Sequence, residues 1–98
     1  MIIPDVDAPE TRAALAYMAH KGYPDQPPLG VEVVQGPEPA WYFYFEVPEG
    51  LIELEVAYED DAWWCSVATF LLYDDHPEGW SPSKFVQQRL GPADSGRG

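Results

Sequence analysis

Hydrophobic and polar residues alternate along two consecutive stretches in the middle of the chain, which is the pattern of half-buried β-strands. Residues 41–47 are rich in aromatic side chains, and residues 51–58 alternate apolar residues with glutamates. Pro48-Glu49-Gly50 separates the two stretches and has the length and composition of a hairpin turn. The pattern therefore predicts an antiparallel pair of strands joined by a tight turn.

Two more strand-like stretches flank this pair. A short one, residues 31–35, ends at Gly36-Pro37-Glu38-Pro39, where a glycine and two prolines break the strand. The longest one, residues 63–73, follows a second turn at Glu59-Asp60-Asp61. Because consecutive strands usually pair with each other, the four stretches predict an antiparallel meander.

Helix signals lie on both sides of the four strands. Asp7, with Glu10 three residues later, has the spacing of a capping box, and Gly22 supplies a stop after a stretch of helical periodicity. Ser81 is placed to cap a second, shorter helix that Gly91 ends. The chain thus begins and ends its folded part with a helix.

The element order αββββα predicts an α+β fold, a single small domain in which an antiparallel meander sheet carries both helices on one face. One domain is the expected number for 98 residues. We assign residues 1–91 to this domain and residues 92–98, which are rich in small and turn-forming residues, to a flexible C-terminal tail.

Strand alternation separates the central hairpin into two chemically different faces. One face carries the large apolar side chains and is predicted to be the core. The opposite face brings tyrosines of one strand beside glutamates of the next. The members of this aromatic and anionic face are Tyr42, Tyr44, Glu46, Glu53 and Glu55.

The charge of the chain changes the interpretation of that face. Net charge is -12, and the thirteen acidic residues between Gly22 and Ser83 are accompanied by no Lys or Arg. Carboxylates on neighbouring strands repel one another, and a basic partner would relieve that repulsion. We predict partner contacts through two aromatic anchors and six carboxylates, namely Tyr42, Tyr44, Glu46, Glu53, Glu55, Glu59, Asp60 and Asp61. The alternative for the same face is simple solvation of one side of the sheet.

Clustered Lys and Arg belong above all to proteins that handle nucleic acids. We therefore expect a non-enzymatic acidic binding protein that covers the basic surface of a nuclease or another nucleic-acid-binding machine. It would be a phage anti-CRISPR or anti-restriction inhibitor that mimics nucleic acid, or a toxin immunity protein. Direct binding to nucleic acid or to a membrane is disfavoured by the charge. With no signal peptide or membrane-span pattern, the expected location is the cytoplasm of a bacterial or phage-infected cell.

The stretch 63–73 supports a different class of function. Both of its alternating sets are largely apolar, as in a strand that is central or covered on both sides. The chain would then be an assembly subunit or adaptor, with acidity serving only solubility. Self-association as a homodimer through this strand is an open alternative, and Trp64 and Phe70 are the discriminating residues.

Catalytic and metal chemistry have little support in the sequence. Asp74-Asp75-His76 with Glu78 is the densest set of metal-ligand types, but it lacks the spacing of a calcium loop and indicates a solvated turn. Cys65 is the only cysteine and lies inside an apolar stretch, as a small buried hydrophobe does. His20 suits the C-terminal end of the first helix. We expect no catalytic residue, no metal and no cofactor.

Overall fold

The computed structural model describes residues 4–91 of the chain. The predicted α+β class and the order αββββα are confirmed, with one 3-10 turn added at Tyr73–Asp75. The elements are α1 (Pro9–His20), β1 (Gly30–Val34), β2 (Ala40–Val47), β3 (Gly50–Glu59), β4 (Ala62–Leu72) and α2 (Pro82–Leu90). The predicted tail at residues 92–98 lies outside the described residues.

The four strands form one antiparallel sheet in the order β1-β2-β3-β4, as the predicted meander requires. Pro48-Glu49 links β2 to β3. The next position, Gly50, requires glycine because a Cβ there would overlap the carbonyl oxygen of Leu71. Asp60-Asp61 links β3 to β4 with both residues in the left-handed region, at φ 53° and 64°. Two-residue turns of this geometry match the twist of the strands they join and favour tight hairpins.

The main core lies on one face of the sheet. Phe43 and Phe45 of β2 and Ile52, Leu54 and Val56 of β3 point to this face and are almost completely buried. Helix α1 covers them with Ala14 and Met18. The alternation of apolar residues in the central hairpin therefore identifies the core correctly.

The structure corrects the expected placement of the helices, because α1 and α2 pack on opposite faces of the sheet. On the second face, Tyr44 and Leu51 form a buried cluster with Val86 of α2. Trp80 and Phe85 pack against the same cluster. This end of the second face is apolar as well as aromatic, and α2 removes it from water.

The helix starts show how local sequence sets the ends of elements. Ser81 caps α2 as predicted, its Oγ accepting a hydrogen bond from the Lys84 amide at 3.2 Å. Helix α1 instead has Ala8 at its N-cap, without a side-chain cap. Pro9 explains the difference, since the residue before a proline is held in extended conformation and proline itself favours the first helical turn.

Strand β4 lies at the edge of the sheet, not at its centre, and none of its eleven residues is buried. A bulge interrupts its alternation: Val67 pairs with Leu54 and Thr69 with Glu53, which leaves Ala68 as an extra residue. Phe70 consequently shares the α1 face with Val67, whereas Leu71 points to the α2 face. The prediction of a central or doubly covered strand is wrong, because a meander places its last strand at the edge.

Candidate functional site

Cross-strand register arranges the side chains of the α2 face in rows that run across all four strands. Residues paired directly across neighbouring strands point to the same face, so each row can be followed from β1 to β4. One row consists of Gly30, Tyr44, Glu53 and Thr69, and the next consists of Glu32, Tyr42, Glu55 and Ser66. The two predicted tyrosine anchors thus lie in neighbouring rows.

The row of Tyr44 is covered. Tyr44 is completely buried, and its hydroxyl accepts a hydrogen bond from Arg89 Nε at 2.8 Å. The same hydroxyl donates to Glu53 Oε2 at 2.8 Å. Burial raises the pKa of Tyr44 strongly, and donation to Glu53 raises it further, while Arg89 opposes the shift. The hydroxyl is therefore a neutral bridge between a guanidinium of α2 and a carboxylate of β3.

Arg89 also supplies positive charge to the predicted acidic face. Its terminal nitrogen lies 3.9 Å from Glu32 and 4.0 Å from Glu53. The Glu53 side chain is only 16% exposed, so its charge is largely used inside the protein. Tyr44 and Glu53, both predicted to contact a partner, are therefore occupied by contacts with each other and with Arg89 inside the protein.

The row of Tyr42 is partly exposed, because Glu32, Tyr42 and Glu55 are half-buried rather than buried. Glu32 and Glu55 lie on either side of Tyr42 in the register, and its hydroxyl is 3.4 Å from Glu55 Oε2. Val34 and Trp64 belong to the following row and are exposed, Trp64 by 58%. We call Glu32, Val34, Tyr42, Glu55 and Trp64 the open half of the α2 face.

A shallow depression of about 320 Å³ lies at the boundary between the open half and the covered row. Its lining includes Glu32, Val34, Tyr42, Glu53 and Arg89. Burial raises the pKa of Tyr42, and the carboxylates Glu55, Glu53 and Glu32 add to the shift. Burial and the neighbouring carboxylates therefore both disfavour a negative charge on the Tyr42 hydroxyl.

The remaining predicted site residues separate into two groups. Glu59, Asp60 and Asp61 are exposed at the β3–β4 turn, where the Trp64 indole donates to the Glu59 carbonyl at 3.2 Å. This contact joins the acidic turn to the open half. Glu46 lies in a different row, away from Tyr42, and accepts a hydrogen bond from the Tyr73 hydroxyl at 2.9 Å. That bond raises the pKa of Tyr73.

Sequence reasoning did not include Glu32 and Val34 of the open half, and it named Trp64 only for the assembly alternative. Glu32 and Val34 come from the short strand β1, whose own alternation places them on one face with Val33 on the other. Trp64 comes from β4, where both alternating sets are apolar. The sheet order identifies these residues, because β1 lies beside β2 and β4 lies beside β3, so their side chains extend the rows of the central hairpin.

The Cys65 thiol and the His76 imidazole, two side chains of kinds used in catalysis, both pack against other parts of the protein. Cys65 is half-buried beneath α1, with its Sγ 3.6 Å from the Ala13 carbonyl oxygen, and burial raises the pKa of its thiol. The His76 ring stacks on Trp80 at 4.1 Å and has Nδ1 2.7 Å from the Leu72 carbonyl oxygen. Between residues 4 and 91, no three His, Cys, Asp or Glu side chains are arranged to hold a metal ion.

Comparison of the chain with protein-family models, curated proteins and solved structures finds no match. In the part of the chain that the structure describes, no helix combines the length and apolar character needed to cross a membrane.

Proposed function

We propose that this protein is a non-enzymatic acidic binding protein whose open half covers a basic surface of a nucleic-acid-handling protein. It would act as a phage anti-CRISPR or anti-restriction inhibitor that mimics nucleic acid, or as a toxin immunity protein. The observation that carries the proposal is the row in which two half-buried carboxylates, Glu32 and Glu55, flank Tyr42. Arg89 of α2 reaches this row at Glu32, at 3.9 Å.

The chemistry of the open half suits an arginine or lysine of the partner. Neighbouring strands lie about 4.8 Å apart, which places the Glu32 and Glu55 backbones about 10 Å from each other with the Tyr42 ring between them. A guanidinium over that ring gains a cation–π contact and two charge-assisted hydrogen bonds. Trp64 and Val34 add apolar contact area beside the charges, and aromatic anchors of this kind dominate binding energy at interfaces.

The covered row gives the open half a rigid base. Tyr44, Glu53 and Arg89 are held together by two hydrogen bonds of 2.8 Å, and Glu53 and Arg89 form one side of the depression. A surface whose supporting side chains are already ordered loses less conformational entropy on binding. The cytoplasm of a bacterial or phage-infected cell remains the location that this function requires.

The test is a capture experiment from bacterial lysate with the purified protein, run at low and high salt. We expect basic nucleic-acid-binding proteins to be captured at low salt and released at high salt, since exposed charges are screened within about 10 Å at 0.1 M. The variant Glu32→Lys/Glu55→Lys should lose the capture, with association to the isolated partner slowed about tenfold at low salt. Added protein should inhibit the nucleic-acid activity of the captured partner.

The matched control is Asp25→Lys/Glu38→Lys, which makes the same change in net charge at two exposed loop positions. It should keep most of the capture if the open half is the contact surface. Capture that is indifferent to salt, or that both double variants lose equally, would contradict the proposal.

A second candidate function is supported by the exposure of β4. Four of its apolar side chains are more than a third exposed, namely Trp64, Val67, Phe70 and Leu72. Clusters of exposed apolar side chains commonly mark interaction surfaces. An assembly subunit or adaptor would use this strand as its contact. Trp64→Ser and Phe70→Ser should then abolish assembly, whereas charge reversal at Glu32 and Glu55 should leave it unchanged.

A further inference from the structure

The free edge of β4 has a charge pattern different from the rest of the protein. Its eleven residues contain no Asp, Glu, Lys or Arg. Exposed carboxylates stand at both ends, Glu59-Asp60-Asp61 before the strand and Asp74-Asp75 after it. At about 3.4 Å per residue, the two acidic clusters are roughly 35 Å apart along the edge.

The edge also offers backbone hydrogen-bonding groups. Strand β4 pairs with β3 on one side, and no strand among residues 4–91 pairs with its other side. An edge strand of this kind carries a row of N–H and C=O groups that an added strand can use. The apolar side chains Val67 and Phe70 on one face and Trp64 on the other provide contact area above and below such a strand.

We propose that β4 receives an extended apolar segment of a basic partner protein as a fifth strand of the sheet, with Lys or Arg at both ends of that segment. The proposal deepens the proposed function and rests on it in one respect, namely that the partner is basic. Backbone hydrogen bonds would supply affinity, as in strand addition generally. The acidic clusters at the two ends would select for basic residues spaced about one strand length apart.

Charge disfavours a second copy of this chain as the occupant. Antiparallel pairing of two β4 edges would bring Asp60 and Asp61 of one copy next to Asp74 and Asp75 of the other. Charged residues at a strand edge are a common protection against edge-to-edge association. A strand with basic ends meets complementary charge at the same places.

The experiment uses the full-length protein and a synthetic peptide of eleven alternating Val and Thr residues, the length of β4, with two lysines at each end. Amide hydrogen exchange is measured residue by residue with and without peptide. We expect slower exchange at amides of β4, and binding about tenfold weaker for a peptide with glutamates in place of the lysines. A peptide with a central Pro-Pro should not bind, because proline lacks the N–H that strand addition uses.

A protein variant tests the same edge. Val67→Lys places a charge on an exposed edge position and should abolish peptide binding, whereas Gln87→Lys, with the same change in net charge on α2, should not. Equal binding of the lysine-ended and glutamate-ended peptides, or protection outside β4, overturns the inference. A dimer in sedimentation without peptide, with β4 amides protected, overturns it in favour of a second copy.

These outcomes also separate the inference from the proposed function. If lysate capture depends on Glu32 and Glu55 but is unaffected by Val67→Lys, the open half binds the partner and the edge inference fails alone. If the lysine-ended peptide binds β4 while lysate capture is independent of salt, the proposed function fails and the edge retains only a peptide-binding property.

Discussion

Tyr42 and Tyr44 have the same sequence context and opposite positions in the structure. Both alternate with apolar residues in β2, and each stands opposite a glutamate of β3, Glu55 and Glu53 respectively. Tyr44 is completely buried beneath α2, with its hydroxyl between Arg89 and Glu53. Tyr42, one row away, stays at the surface within reach of Glu55. Two residues along the strand separate a fully buried side chain from a partly exposed one.

The difference in burial between Tyr42 and Tyr44 shows what decides whether a residue on the polar face of a strand is accessible. Alternation assigns a residue to a face, but an element from a distant part of the chain determines which part of that face it covers. Here α2 is short, nine residues, and reaches only one half of the face. In the covered half, Glu53 is held by the Tyr44 hydroxyl and Arg89. In the other half, Arg89 reaches Glu32 at 3.9 Å, and Glu55 lies within 3.4 Å of the Tyr42 hydroxyl.

The largest expected effect separates the two tyrosines by stability. Tyr44→Ala should lower the free energy of unfolding by about 3–5 kcal/mol, because it removes a fully buried aromatic side chain and leaves a cavity. Tyr42→Ala should cost about 1 kcal/mol or less, since Tyr42 is partly solvated. Urea denaturation of the two variants measures both values. Equal losses would mean that α2 does not cover Tyr44 in solution.

A middle-sized effect separates the two glutamates. Glu53→Lys and Glu55→Lys change the net charge equally, but a lysine at position 53 would face Arg89 and take away the acceptor of the Tyr44 hydroxyl. Glu53→Lys should therefore cost about 2 kcal/mol, whereas Glu55→Lys should stay within about 0.5 kcal/mol of the original stability. Thermal unfolding gives the comparison.

The double variant Glu53→Lys/Arg89→Gln supplies the control for the glutamate pair. It should recover part of the loss, because the repulsion between the introduced ammonium group and the guanidinium of α2 is removed. Simple additivity of the two single losses would show that Glu53 and Arg89 are not coupled.

The smallest effect is a difference in alkaline stability. The pKa of Tyr44 is raised above its usual value of 10, chiefly by burial, so the folded state holds this proton more tightly than the unfolded state does. Its contribution to stability is complete below pH 10 and falls as the pH rises through the folded pKa, by at most about 1.4 kcal/mol per pH unit. Tyr44→Phe should flatten this alkaline loss relative to the original protein.

Tyr42→Phe is the matched control for the alkaline measurement. The pKa of Tyr42 is also raised, but the side chain is only half-buried, so we expect its hydroxyl to ionise without unfolding the protein. Tyrosinate absorbance at 295 nm, followed against pH, should show a step that coincides with unfolding in the original protein and in Tyr42→Phe. That step should be missing in Tyr44→Phe. The same titration curve for both variants would contradict a buried Tyr44 hydroxyl.

Much of the fold follows from the chain without its structure. The two turns are visible because Pro48-Glu49-Gly50 and Glu59-Asp60-Asp61 interrupt alternating stretches, and the core side of β2 and β3 follows from Phe43, Phe45, Ile52 and Leu54. The N-cap at Ser81 is equally local. These features depend on residues within a few positions of each other, and local conformational preferences are strong enough to set them.

Only part of the candidate site can be predicted from the sequence. Alternation correctly places Tyr42, Glu55 and the turn 59–61 at least partly at the surface. It also places Tyr44 and Glu53 there, because nothing in β2 or β3 indicates that a helix covers them. The bulge at Ala68 was also missed, since an extra residue in a strand with two apolar faces leaves no break in the pattern.

The helices, strands and turns, the acidic charge and the face to which each side chain of the central hairpin points all follow from the chain alone. Which carboxylates pair with a cation depends on the packing of the layers: α2 folds back over Tyr44, Arg89 partly neutralises Glu53 and Glu32, and β4 lies at the edge of the sheet. The groups in these contacts are far apart along the chain. Arg89 contacts a hydroxyl 45 residues away, and such a contact depends on how layers pack rather than on any local pattern.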